Sequence, residues 1–434
     1  MLYEEAMEYL QNLTKFGMNF GLVRISELLR RLGEPHRKIN VIHVGGTNGK
    51  GSTTAILASV LQSSGYRVGT FTSPHLHSYT ERFRINNAEI DPNQVAKLIT
   101  YLRPHIETMV QDGFEHPTEF EVSTALAFCY FAEEAVDYLV LEVGLGGAID
   151  STNVVHPLLS VITNVTMDHM DYLGGTVSDI ARVKAGIIKP GVPVVTASDN
   201  PEVLAIIQEI CREKGCTLIQ VGRDVTWEYG EHSLRGQYFD YQGLKWHFME
   251  LWLPLLGQHQ VVNASTALAA LELLAGLGVH IEESALRDGL SKTVWPARLE
   301  LLGGKPPVLI DGAHNYEGAR SLRLALDTYF PEREIVMILG MLGDKERARV
   351  VAELAPRARK VIITKPNSPR AGDWQQLAAQ AREYISDVDV VESIADAVLS
   401  GMKQAGVDDL VCITGSLYMV AEAREVVRGL FNKK

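Results

Sequence analysis

Short apolar runs alternate along the chain with longer segments in which apolar positions recur every three or four residues. The runs at 40–44, 68–70, 138–143, 158–163 and 192–195 are too brief for helices and rich in Val, Ile and Leu, as strands buried on both faces are. The segments between them have helical spacing, so the pattern predicts an α/β fold with a mostly parallel sheet. Residues 222–256 break the rhythm with alternating Trp, Tyr and Phe among turn residues, which predicts a small antiparallel β patch, and 263–277 then reads as a helix. The stretch 293–307 holds Trp295-Pro296, Gly303-Gly304 and Pro306-Pro307, the composition of a boundary. Beyond it the alternation restarts, with strand candidates at 308–310, 334–339, 360–364, 388–391 and 410–414. A larger domain over 1–296 and a smaller α/β domain over 297–434 are expected.

Chemistry collects after the predicted strands, at the edge where parallel sheets bind ligands. The run GGTNGKGS at 45–52 follows the first strand and precedes a helical stretch at 54–61. In that order, backbone N–H groups and a helix N-terminus converge, and Lys50 adds a full charge, which suits a triphosphate. Thr47, Asn48, Gly49, Lys50, Gly51 and Ser52 are the expected contacts. The spacing departs from G-x-x-x-x-G-K-[ST]: Val44 stands where the first glycine would be, and the hydroxyl comes one residue later, at Ser52.

Ser73, after the second strand, is open to a metal, a phosphate or a substrate, or to no more than a Ser-Pro turn. Thr118 and Glu121 have the spacing of a capping box ahead of an apolar helix, and that structural role accounts for them. Glu142 closes an apolar strand, where a carboxylate is costly unless paired or bound to a cation, and so points to a Mg²⁺ ligand. Asp150 and Asn153 follow in the next loop, and Asp168, His169 and Asp171 gather after the next strand, with His169 a candidate second cation ligand. Lys184 lies in a helical stretch and by itself reads as a solvated lysine. Asp311 and His314 follow the first strand of the second domain, expected to face the first domain across a cleft that Arg298 also reaches.

Composition narrows the class. Of 434 residues, 46% are hydrophobic and 22% charged, as in an ordinary globular protein. At about 150 residues per domain the length allows three domains, which the boundary reduces to two unequal ones. The net charge of −12 argues against a broadly basic nucleic-acid binder and against a polybasic membrane binder. Cys129, Cys211, Cys216 and Cys412 have no metal-ligand spacing and read as free thiols in a reducing compartment. The acidic, amphipathic N-terminus has no signal-peptide pattern, and no apolar run is long enough to span a membrane. A cytoplasmic enzyme is expected.

Taken together, HVGGTNGKGST (43–53), FTSPHL (71–76), TEFE (118–121), LEVGLGG (141–147), DSTN (150–153), TNVTMDHMDYLG (163–174), KAGIIK (184–189), GQHQVVNASTALAAL (257–271), WPARLE (295–300), DGAHN (311–315) and TGSLYMVAEAR (414–424) carry a resemblance. The chain resembles the folylpolyglutamate synthase/dihydrofolate synthase group of ADP-forming Mur ligases. The resemblance implies a P-loop ATPase-type domain and a Rossmann-like glutamate ligase domain with the active site between them. It implies that a folate or dihydropteroate carboxylate takes the γ-phosphate of ATP and that L-glutamate then displaces phosphate to form an amide. It places Lys50 on the phosphates and Ser52 beside the nucleotide, with Asn263, Arg298, Asp311 and His314 as further nucleotide contacts. Ser73 and Glu142 match a first Mg²⁺ site and His169 a second, while Ser73, Asp150 and Ser416 border the substrates. Lys184 matches a lysine that is carbamylated in relatives, and with Lys50 and His169 it forms the expected catalytic set. A monovalent cation belongs to the same implied set, and a monomer is expected.

Two departures stand out. Ala148 occupies the arginine position of the frequent GGRLD pattern, which removes a cation near an anionic folate, and Val183 replaces the glutamate of EKAG. Two alternatives belong to other classes. A peptidoglycan Mur ligase carries a UDP-binding domain before its phosphate loop, and only 44 residues precede Gly45. A non-synthetic P-loop ATPase would not need the second domain with its own DGAHN edge.

Overall fold

A computed structural model describes residues 1–17 and 19–431. The chain divides into two compact units, one of 1–228, 240–251 and 262–293, the other of 229–239, 252–261 and 294–434.

The first unit is built on β1 (Val41–Gly45), β2 (Val68–Phe71), β3 (Phe83–Ile85), β4 (Ala88–Glu89), β5 (Tyr138–Glu142), β6 (Leu159–Ile162), β7 (Val194–Thr196) and β8 (Leu218–Gln220), ordered β4-β3-β2-β5-β1-β6-β7-β8. Strands β2 to β8 with β1 run parallel, except that β3 is antiparallel to β2 and β4 to β3. All five residues of β1 are buried, as the apolar runs require. The chain builds β2 and β5 on one side of β1 and then β6 to β8 on the other, so the order reverses at β1. Such a reversal leaves a ligand-binding crevice at the carboxyl ends of the strands.

A separate sheet, ordered β11-β10-β9, consists of β9 (Thr226–Ser233), β10 (Gly236–Gln242) and β11 (His247–Leu253). Its connections are too short for parallel crossovers, so it is the antiparallel patch expected within 222–256. The second unit carries β12 (Glu300–Leu302), β13 (Val308–Ile310), β14 (Ile335–Leu339), β15 (Lys360–Ile363), β16 (Val388–Val390) and β17 (Leu410–Thr414), ordered β12-β13-β17-β14-β15-β16. All its neighbours pair in parallel except β12 on β13. The architecture is therefore the expected α/β fold. Four strands were outside the expected set: β3, β4 and β8, which are short, and β12, which lies inside the stretch read as a boundary. Strands of two or three residues are too short to show a period of their own.

The capping box read from TEFE is present at the start of the helix Glu119–Glu133, where the Thr118 N–H donates to Glu121 Oε2 at 2.8 Å. The same oxygen takes Arg24 Nε–H at 3.1 Å, and both side chains are buried. This pair ties the helix Val23–Arg31 to the helix Glu119–Glu133. All four cysteines are free thiols, and among the described residues no helix is long and apolar enough to cross a membrane.

Removing one partner of a buried ion pair strands the other charge. Arg24→Ala should therefore lower stability by roughly 3–5 kcal/mol, read as a lower urea midpoint, and an unchanged midpoint would contradict this account of the pair.

Candidate active site

β1 ends at Gly45, the chain turns through 46–49, and the helix Lys50–Ser63 begins. Gly46 has φ 137° and passes so close to the next loop that a Cβ would lie 2.0 Å from Thr163 Oγ1, so only glycine fits. The two loops are laced together. Thr47 N–H donates to Asn164 O at 2.8 Å, and Asn48 N–H donates to Asn164 Oδ1 at 2.8 Å. The Thr163 hydroxyl donates to Asn48 O at 2.6 Å, and Thr166 N–H to Thr47 Oγ1 at 3.0 Å. The first intrahelical bond is Thr53 N–H to Gly49 O, so the amides before it open the helix N-terminus with its positive potential. The Asn263 carboxamide lies against Gly49, where a Cβ would stand 2.3 Å from Oδ1.

Two lysines converge on this loop. Lys50 Nζ donates to Gly46 O at 3.2 Å and Thr47 O at 3.1 Å, and Lys184 Nζ donates to the same Gly46 O at 2.8 Å. Lys184 ends the helix Val177–Lys184 and is only 4% exposed, so it is not the solvated lysine its local sequence suggests. Burial, reinforced by the charge of Lys50 and partly offset by Asp168 and Asp150, lowers its pKa to about 7. The amine is thus available in its neutral form near physiological pH.

Glu142 ends β5 and is buried at 4% exposure, one strand from the phosphate-type loop, with Val44 as its partner in register. Ser73 follows β2, and its N–H reaches Glu142 Oε2 at 3.3 Å. Among the described residues no three His, Cys, Asp or Glu side chains gather to hold a metal by themselves. A single carboxylate with a neighbouring hydroxyl nevertheless suits Mg²⁺, which takes its remaining oxygens from phosphates and water. His169 sits in the left-handed region (φ 52°), with Nε2 3.8 Å from Asp168 Oδ2.

Asp150 is fully engaged inside its own loop. It accepts from Leu145 N–H at 2.8 Å, Thr152 N–H at 3.0 Å and the Thr152 hydroxyl at 2.5 Å. That hydroxyl accepts in turn from His43 Nε2–H at 2.9 Å. Burial raises the Asp150 pKa, these hydrogen bonds oppose the rise, and burial likewise holds His43 neutral, down to about 3. Ala148, three residues from the Ser151–Val154 turn, is exposed and brings no charge.

In the second unit Asp311 follows β13 and accepts from Leu299 N–H at 2.9 Å and Ala313 N–H at 2.8 Å. Burial raises its pKa, and Arg298 works against the rise. Arg298 is half-buried and donates Nη1–H to Ala297 O at 2.9 Å. The carbonyl of Gly312 accepts from His314 Nδ1–H at 2.9 Å, which fixes the tautomer. Ser416 stands between β17 and the helix Leu417–Phe431, 2% exposed, its hydroxyl without a hydrogen-bond partner among the described residues. The Thr163-Asn164 lacing and the Glu300–Arg424 pair were absent from the sequence reading; a hydroxyl-amide pair directly after a strand was the one available signal.

Comparison with known proteins follows the same outline. The Mur ligase middle domain matches residues 44–271, and the Mur ligase glutamate ligase domain matches 297–417. The dihydrofolate synthase/folylpolyglutamate synthase of Bacillus subtilis is 39% identical over 426 residues, 98% of each chain. The Mycobacterium tuberculosis folylpolyglutamate synthase complexed with ADP has a TM-score of 0.91 at 33% identity over 98% of both chains. Escherichia coli FolC in complex with DHPP and ADP has a TM-score of 0.88 at 31% identity over 99% of both chains. Fold, loop chemistry and these matches define an ATP-dependent amide ligase of the Mur ligase family. Within that family the chain belongs to the folylpolyglutamate synthase/dihydrofolate synthase group.

The placement of Lys184 is directly measurable. NMR titration of ¹³C-labelled lysine side chains should show one amine with an apparent pKa of about 7, absent from Lys184→Met. A value near that of a solvated lysine would contradict the buried contact with Gly46.

Proposed function

We propose that this chain joins L-glutamate to a folate carboxylate, converting ATP to ADP and phosphate. The observation that carries this reading is the convergence of Lys50 and the buried Lys184 on Gly46 O at a helix N-terminus, a focus of positive charge. In the first step a carboxylate oxygen of the folate attacks the γ-phosphorus of ATP, the bond to the bridging oxygen breaks, and ADP leaves. In the second, the amino group of glutamate attacks the acyl carbon and gives up a proton, and phosphate leaves with the carboxylate's oxygen.

The transferred phosphoryl group spreads negative charge over its oxygens, so fixed positive groups supply most of the stabilisation. Lys50 and the amides of 47–52 hold the phosphates, with Asn263 on the adenine side and Arg298, Asp311 and His314 as further nucleotide contacts. Ser73 and Glu142 would hold one Mg²⁺ and His169 a second, and the bound ions would supply charge neutralisation for the phosphates. The neutral amine of Lys184 can attack carbon dioxide and lose a proton, which leaves a carboxylate-like carbamate in place of the amine. Ser73 and Asp150 border the folate, Asp150 by fixing its loop. Ser416, a buried hydroxyl without a hydrogen-bond partner among the described residues, holds the incoming glutamate. The enzyme acts in the cytoplasm as a monomer.

An ADP-release assay with ATP and glutamate, offering tetrahydrofolate or dihydropteroate in turn, tests the reading. At least one acceptor should stimulate release, and both doing so would make the enzyme bifunctional; stimulation by neither would refute it. Lys50→Ala should cut the stimulated rate roughly 10²–10³-fold with the unfolding transition unchanged, and a near-normal rate would remove Lys50 from the phosphate site.

A further inference from the structure

Ala297 and Leu299 have φ of 57° and 45°, so Arg298 lies between two buried, non-glycine residues in the left-handed region. Side chains with a Cβ adopt that region only where surrounding structure imposes it, and such strain gathers at functional sites. Three groups impose it here. The carboxylate of Asp311 accepts Leu299 N–H at 2.9 Å, and the carboxylate of Glu300 accepts Ala297 N–H at 2.9 Å. Gly312 N–H donates to Ala297 O at 2.9 Å. Glu300 is itself clamped by Arg424, whose Nε and Nη2 reach its two oxygens at 2.8 and 2.7 Å. Burial raises the Glu300 pKa, but Arg424 and the Ala297 amide outweigh it, and the carboxylate stays ionised.

Between these fixed points the guanidinium of Arg298 uses one N–H on Ala297 O, and among the described residues it makes no ion pair within 4.0 Å. A half-buried cation with most of its donors uncommitted suits a phosphate, and a bidentate contact of that kind depends on direction. We propose that the Glu300–Arg424 ion pair is a positioning device: it holds 297–299 in their strained shape and so fixes the direction in which Arg298 offers its guanidinium to a phosphate. Arg424 and Glu300 touch no reactant in this account; they act through Arg298. The inference rests on reading Arg298 as a nucleotide contact.

Equilibrium binding of a fluorescent ATP analogue to the full chain separates the two levels. Arg298→Ala should weaken binding on the order of tenfold, and no change would overturn the contact reading and the proposal with it. Arg424→Ala should weaken binding by a similar factor in the parent and add little in the Arg298→Ala background, because both changes remove one interaction. An unchanged affinity in the folded Arg424→Ala protein, or a full additional loss on top of Arg298→Ala, would overturn the positioning role alone. Glycine adopts φ > 0 without strain, so Ala297→Gly should restore part of the affinity lost in Arg424→Ala. Restoration marks a conformational role, whereas a merely structural ion pair gives none. If Arg424→Ala fails to fold, Glu300→Gln, which keeps an acceptor for Ala297 N–H but loses the charge pair, takes its place with the same outcomes.

Discussion

The loop after β1 is held by an approach that only glycine allows: a Cβ on Gly46 would stand 2.0 Å from Thr163 Oγ1. That closeness lets the 163–166 loop take up Thr47 and Asn48 through backbone and side-chain bonds, which brace the phosphate-type loop. It also turns Gly46 O to where two lysines meet it. Two amines meet on one buried carbonyl oxygen, and burial of Lys184, with repulsion from Lys50 adding to it, lets Lys184 surrender its proton near neutrality. A bound phosphate would relieve that repulsion from the other side. The same geometry thus accounts for the affinity expected for a triphosphate and for a neutral amine at Lys184.

Much of the fold was legible because the strands of both sheets are continuous apolar runs, and burial on both faces leaves that mark in the sequence. The strands that escaped, β3, β4, β8 and β12, are two or three residues long and lie at or next to a sheet edge, so their pairing depends on their neighbours and not on their own composition. The division of the chain was harder to read. Segments 229–239 and 252–261 belong with 294–434 although they come before the Pro- and Gly-rich stretch, and a compositional boundary cannot register a chain that leaves a unit and returns.

The site divides along a similar line. Residues whose role follows from local order, Lys50 in a strand-loop-helix and Glu142 at a strand end, stand where the spacing puts them. Residues whose role depends on distant partners were legible only in part. Lys184 looks solvated from its own helix and is buried by its contact with Gly46, 138 positions away. Asp150 looks free in its loop, yet Leu145 and Thr152 saturate it. Arg298 was legible as a cation in a linker, but the strained backbone that orients it depends on Arg424, 124 positions from its partner Glu300.

The central claim, that a substrate carboxylate is activated by phosphorylation over this loop, has one direct measurement. A folate acceptor carrying ¹⁸O in the reacting carboxylate is incubated with ATP, L-glutamate and the enzyme, and the released phosphate is examined by mass spectrometry. The account predicts one ¹⁸O in each phosphate formed per amide bond, because the carboxylate oxygen departs with the phosphoryl group. Amide formation with all ¹⁸O kept in the product or lost to water would contradict it.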